Sequence, residues 1–211
     1  MQTPIKRGRK YDQVLDGARD VFLREGYEGA SVDTIARAAG VSKATLYSYF
    51  PDKKELFLEV AQMECLRQAD SAVLIARDGA SIEQALTEFA RHMVLFVLTD
   101  FAQSVFRVCV AESERFPDLA RTFYRSGPEK ARDRLVALLK DAVACGELAI
   151  QDIDLAADQF AELCKADLFF KRVFRVNDNP SEAEIDRIIH GAVETFMARF
   201  GAPVAAQTEQ A

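Results

Sequence analysis

Apolar residues recur every three or four positions along almost the whole chain, and no convincing run alternates as a half-buried strand would. The pattern predicts an all-α fold. A first helix is expected from about Tyr11 to Glu25, with Val14, Leu15, Ala18, Val21 and Phe22 on one stripe and Gly26 as its stop. A short second helix follows Ser31, which has N-cap chemistry, carries Ile35, Ala36 and Ala39 inward and ends at Gly40. A third, equally short, covers residues 43–50, and Pro51 suits the first turn of a fourth that runs to about Ile75. RDGAS, Arg77 to Ser81, is the clearest break. Beyond it, helices are expected over Ile82–Leu98 and Phe101–Glu114, then from Pro117, and from Pro128 to Cys145. Two long amphipathic segments, about Leu155–Val176 and Ser181–Phe200, flank the turn-rich NDNP. This organisation places one domain over 8–68 and a larger one over 78–200, with flexible ends at 1–7 and 201–211.

Charge divides the chain unevenly. The total is −6 over 211 residues, yet residues 1–60 hold 10 Lys/Arg against 9 Asp/Glu, and the acidic excess lies in the remainder. Lys6, Arg7, Arg9 and Lys10 stand together at the amino end, so contact with a polyanion is expected there and not on the acidic body. MVLFVL, Met93 to Leu98, is the longest strongly apolar run and is far too short to span a bilayer. MQTPIKRGRK leads into no apolar segment, so a cytoplasmic location without membrane contact is expected. Cys65, Cys109, Cys145 and Cys164 form no CxxC pair and only His92 and His190 accompany them, which points to buried reduced thiols and to no metal or other cofactor.

The stretch GVSKATLYSYFPDKKELF, residues 40–57, bears the candidate chemistry. Two short helices around the Gly40 turn, crossed by an earlier one, have the organisation of a helix-turn-helix. At about 100° per residue, Leu46 and Phe50 share the inward side, while Lys43, Ala44, Tyr47 and Ser48 form an outward face. Such a face is slim enough at Ala44 to approach base edges, and Lys43 can donate to guanine O6 or N7. Tyr47 has two readings, a base-facing ring or an aromatic at the core's edge, since it lies only about 60° around the helix from Phe50. Ser31, Ser42, Thr45 and Tyr49 on the flank, and Lys53 just beyond, suit phosphate oxygens.

These residues resemble the TetR family of transcriptional regulators. The resemblance runs from Ala18 to Phe57 and rests on Ala18, Phe22 and Gly26, then Thr34, Ile35, Ala36, the AGVS of Ala39–Ser42, and Thr45, Leu46, Tyr47, Tyr49, Phe50, Lys53 and Leu56. Ala44 stands where many members have glycine, and Ser31 replaces a frequent threonine. The resemblance implies a homodimer with an amino-terminal three-helix DNA-binding domain, a helix-turn-helix at about 31–50, and a carboxy-terminal helical domain that dimerises and takes a small effector. It also implies a repressor that binds a near-palindromic double-stranded operator and is released by the effector. FRVCVAESERFPDLARTFYRSG and the residues after it, through DIDLAADQFAELCKA, are similar to the AefR-like carboxy-terminal domain of that family.

Within that domain the apolar stripe of Ile185, Ile188, Ile189, Ala192, Val193 and Phe196, with Phe160, Leu163 and Leu168 of the preceding helix, suggests a four-helix dimer interface. Packing within one subunit is the competing reading of the same stripe. Phe89, His92, Met93, Phe96, Phe106, Cys109, Phe123 and Phe160 are available to line a pocket for an apolar or aromatic effector, with Arg107 as the one charged residue among them. A plain core, and for Arg107 an ion pair with Glu112 or Glu114, compete with that reading. Two functions from other classes compete with regulation. An all-α enzyme is disfavoured by the lack of GxSxG, P-loop, HExxH and GxGxxG motifs, and a non-specific DNA-coating protein by the acidic body.

Overall fold

The computed structural model describes residues 8–71, 80–114 and 117–202. They form helices α1 (Arg9–Gly29), α2 (Val32–Ala38), α3 (Lys43–Tyr49), α4 (Lys53–Ser71), α5 (Ile82–Val97) and α6 (Asp100–Glu112), followed by α7 (Pro117–Ser126), α8 (Pro128–Ala144), α9 (Ile153–Lys165), α10 (Leu168–Val173) and α11 (Glu182–Phe200). The fold is all-α, and among the described residues the extended pairing is an isolated bridge between Leu148 and Gly201. No single helix among the described residues is long and apolar enough to cross a membrane.

Local chemistry explains most helix limits. Gly26, at φ 70°, breaks α1 one residue past its expected end, and a further turn carries the chain to Gly29. Ser31 and Ser42 cap α2 and α3 by accepting from the Thr34 and Thr45 amides, and Ser181 with Glu184 forms a reciprocal capping box on α11. The Ser181 amide and hydroxyl both donate to the Glu184 carboxylate, each at 2.8 Å, and hold it below its ordinary value. Two expectations fail here. Pro51 lies before α4, whose start is made by Asp52 accepting from the Glu55 amide at 2.8 Å. The single helix expected over 155–176 is two, because Asp167 turns into the left-handed region at φ 60° between α9 and α10.

Contacts group the described residues into two units that are not contiguous in sequence. Among the described residues, one takes 8–71, 98–114 and 117–130, the other 80–97 and 131–202. The sequence limits of 8–68 and 78–200 cut the chain once, so they assign α6 and α7 to the other side. Of the ends expected as flexible, 1–7 and 201–211, residues 1–7 and 203–211 lie outside the described residues, whereas Gly201 bridges to Leu148 and the Ala202 amide donates to the Glu147 carbonyl at 3.0 Å.

In the first unit α1 packs on α2, α4 and α6. Phe22 and Phe57 meet edge to face at 4.9 Å, and Phe57 reaches Phe101 of α6 at 5.7 Å. Polar pairs fix the same helices: Arg19 donates to the buried Glu64 at 2.8 Å, and Lys54 on α4 meets Glu112 on α6 at 3.0 Å. Closest of all is the crossing of α1 and α2 at Gly17, where an added Cβ would lie 2.5 Å from the Ala39 nitrogen.

The second unit is built around α11, which lies on α5 and α9. Phe160 meets Phe196 at 5.1 Å and Phe89 at 6.4 Å. This packing corrects the dimer-interface expectation. Phe160, Leu168, Ile185, Ile189, Ala192, Val193 and Phe196 are all buried inside the unit itself, and only Leu163 and Ile188 of that set keep part of their surface. The periodicity marked a buried face correctly, but its cover is the chain's own α5 and α9. Cys109 and Cys164 are buried, and burial pushes their thiols up to about 11 and about 12. Cys145, expected inside, is exposed past the end of α8, and the Cys65 side chain lies outside the described ones.

Candidate nucleic-acid interface

Leu46, with no exposure, and Phe50, at 4%, anchor α3 in the core of the first unit. That fixes which residues turn outward. Lys43, Ala44, Tyr47 and Ser48 are exposed as one face, as their spacing predicts. Tyr47 is 48% exposed, so of its two readings the outward one holds. The core-edge role belongs to the other tyrosine. Tyr49 is half-buried and sets its ring edge-on to Tyr11 at 5.8 Å, while Tyr11 stacks on Phe50 at 5.3 Å and donates to Glu59 at 2.8 Å.

The flank is more occupied than its sequence suggests. Ser31 and Ser42 spend their hydroxyl oxygens on the caps and on hydroxyl pairs with Thr34 at 2.8 Å and Thr45 at 2.9 Å. Each is still exposed, with oxygen lone pairs and a hydroxyl proton shared across the pair. Lys53 departs furthest from expectation. Its ammonium donates to the Tyr27 carbonyl at 2.8 Å and the Ala30 carbonyl at 3.0 Å and lies over the Tyr27 ring at 4.4 Å. It closes the chain between α1 and α2, a contact 26 residues away that spacing along a helix cannot reveal. Lys53→Ala is therefore expected to lower unfolding stability by about 1–3 kcal/mol as two part-buried carbonyls lose a charged donor. Thermal melting with and without operator DNA checks this, and an unchanged melt with a reduced salt slope would return Lys53 to the phosphate role.

Asp33, in the first turn of α2, is a residue the sequence reading passed over. Its carboxylate meets the Lys43 ammonium at 2.6 Å, with both side chains more than half exposed. The pair joins the two short helices across the turn and directs Lys43 within the outward face. Gly40, at φ 63°, makes that turn.

The expected pocket residues are divided between the two units. Phe89, His92, Met93, Phe96 and Phe160 belong to the second unit, whereas Phe106, Arg107, Cys109 and Phe123 belong to the first. Phe89 and Phe160 are core, His92 is exposed, and Met93 and Phe96 are half-buried. Cys109 is in the core of the first unit, with Phe123 packed against it. Glu112, one partner considered for Arg107, is engaged by Lys54. An open groove of about 650 Å³ lies between α9 and α11, lined by Leu155, Leu163, Ala166, Phe196 and Phe200 with Asp158, Glu162 and Arg199 among its polar members.

A three-helix amino-terminal fold with an exposed face on α3 has the organisation of a helix-turn-helix. Residues 14–60 match the bacterial regulatory proteins of the tetR family, and residues 84–202 match the AefR-like transcriptional repressor C-terminal domain. The chain belongs to the TetR family of transcriptional regulators. Over 59 residues it is 39% identical to the HTH-type transcriptional repressor AcnR of Corynebacterium efficiens, a match spanning 28% of this chain and only 31% of that protein. It is 31% identical to the nicotine-responsive transcriptional repressor HdnoR of Paenarthrobacter nicotinovorans over 133 residues, 61% of this chain and 68% of that one. The solved structure of the flavonoid-responsive regulator FrrA is 35% identical, with a TM-score of 0.67 over 94% of this chain and 100% of that one. Both matched regions thus resemble DNA-binding regulators of transcription, the carboxy-terminal one the repressor type.

Proposed function

We propose that the protein represses transcription by binding a near-palindromic operator as a homodimer, with α3 of each subunit in the major groove, and that a small apolar or aromatic effector releases it. The outward face of α3 carries this reading. Lys43, Ala44, Tyr47 and Ser48 are exposed together, none is needed for the core that Leu46 and Phe50 complete, and their chemistry is that of base-edge contact. Two-fold symmetry in the protein would match two half-sites about one helical turn apart or a little more. Ser31, Ser42 and Thr45 supply polar contacts to the flanking phosphates, with Tyr49 and Lys53 acting mainly to hold the helices that present them. Nicotine and flavonoid responsiveness in two relatives supports an aromatic effector class.

Selection from random double-stranded DNA, followed by titration of the selected duplex, tests the reading. An enriched inverted repeat bound by two chains is the expected result, with an affinity that falls at least tenfold when aromatic metabolites of the right class are added. Enrichment of no sequence would favour a DNA-coating role, and an enriched single half-site bound by one chain would remove the homodimer.

A further inference from the structure

The turn between α2 and α3 sets an acid beside the outward face of α3. Ile35 and Ala36 face the core, and Asp33, about 200° around α2 from Ile35, turns out into solvent. Its side chain is 63% exposed and that of Lys43 54%, and their charged atoms meet at 2.6 Å. A cation of α2 itself is nearer in sequence, since Arg37 lies one turn along, exposed and at the i+4 spacing that favours an ion pair within a helix. The carboxylate reaches across the turn instead. Caps fix the two helix starts, Ser31 accepting from the Thr34 amide at 3.0 Å and Ser42 from the Thr45 amide at 3.1 Å, and Gly40 at φ 63° sets the turn between them. Wherever the Lys43 ammonium enters a groove, the Asp33 carboxylate stands beside it.

A carboxylate in that place is repelled by DNA unless a base donates to it. Phosphates carry the same sign of charge, and guanine N7 and O6 and thymine O4 present acceptors in the major groove. Cytosine presents its N4 amine without an acceptor of its own beside it, whereas adenine sets its amine next to N7. Lys43, for its part, can donate to guanine O6 or N7. Guanine and cytosine are the two halves of one pair. Their O6 and N4 atoms are hydrogen-bonded to each other and lie roughly 2.9 Å apart, close to the 2.6 Å between the Lys43 and Asp33 charged atoms. Exposed as it is, the ion pair is weak enough to be given up. Each side chain can exchange the other for a base with little movement.

We propose that Asp33 is a specificity-determining residue, which accepts from the N4 amine of a cytosine in each half-site while Lys43 donates to the guanine paired with it. The inference rests on α3 lying in the major groove and adds a base-reading residue from α2. Rejection contributes as much as attraction. When Lys43 leaves for guanine, Asp33 remains as an unpaired charge in the groove, and a cytosine at that position restores a donor to it. Other sequences leave the charge uncompensated.

Selection from random double-stranded DNA with wild type, Asp33→Ala, Asp33→Asn and Tyr47→Ala, followed by titration of duplexes altered one pair at a time, tests this. Wild type is expected to enrich one G·C pair in each half-site, and putting thymine for its cytosine, with adenine opposite, should weaken wild-type binding about tenfold or more. The same replacement should cost Asp33→Ala about fivefold less, the remainder being the share of Lys43. Asp33→Asn should shift the preference at the cytosine's place to adenine, whose N6 and N7 a carboxamide meets together. Thermal melting should match wild type for both Asp33 variants, since the side chain is exposed. A role confined to bracing α2 would change affinity for all duplexes alike, and that outcome, or base preferences in Asp33→Ala identical to wild type, overturns the inference while a loss from Tyr47→Ala keeps α3 in the groove. A wild type that enriches no sequence, or a Tyr47→Ala variant that binds as wild type does, removes the reading of α3 and this inference with it.

Discussion

Tyr47→Ala is expected to weaken operator binding by about 1–3 kcal/mol, on the order of tenfold to a hundredfold, and to relax preference at one base position while leaving the melting temperature unchanged. Both halves follow from where the ring lies. It is 48% exposed beside a Leu46 that is fully buried, so truncation removes a reading surface and opens no cavity. Lys43→Ala is expected to act in the same direction but less strongly. Lys43 must exchange the Asp33 carboxylate at 2.6 Å for a base edge, and an exposed pair of this kind is worth roughly 0–1 kcal/mol, which offsets part of the gain. Asp33→Asn should then raise affinity for unrelated DNA by freeing that charge from its partner. Binding curves on the selected operator and on scrambled duplexes separate these effects. Equal loss from Tyr47→Ala on both DNAs would reassign the ring to phosphate, and no loss on either would remove α3 from the groove.

Gly17→Ala carries the largest expected effect on the fold. In an exposed helix this change stabilises by about 1 kcal/mol through propensity. Here the new Cβ would meet the Ala39 nitrogen at 2.5 Å, its Cα at 2.6 Å and its Cβ at 2.7 Å. Those are mostly backbone atoms and cannot rotate away, so α2 has to move off α1. Overpacking of this order costs roughly 1–3 kcal/mol, and Gly17→Val should cost more. The melting temperature is expected to fall by several degrees, with operator binding falling further because α3 is carried by the displaced α2. A variant at least as stable as wild type, binding normally, would show that the helix crossing is looser than its distances indicate.

Gly17 also shows what the sequence conceals. The stops at Gly26 and Gly40 and the cap at Ser31 could be read because each acts within a few residues of itself. The outward face of α3 was equally legible, being set by periodicity around Leu46 and Phe50. What spacing cannot supply is the identity of a distant neighbour. Gly17 reads as a neutral gap in a helical stripe until α2 crosses it, and Lys53 reads as a surface cation until the end of α1 arrives beside it. The same limit explains the stripe from Ile185 to Phe196, whose burial was evident and whose cover was not. Asp167 is a further case: the break between α9 and α10 falls in KADLFF, without glycine or proline to announce it.

The interleaving of the chain between its two units bears on how this protein could be re-engineered. The family match ends at residue 60 and suggests a reading head that can be cut and transplanted. Its core does not end there. Phe57 rests against Phe101, and Lys54 is tied to Glu112, so α6 contributes a wall of the head although 28 residues separate it from α4. A chimera joined after Ser71 would leave that wall behind. A graft that swaps specificity should therefore carry α6 and α7 with the head, or exchange only the outward residues of α3 and leave the scaffold whole.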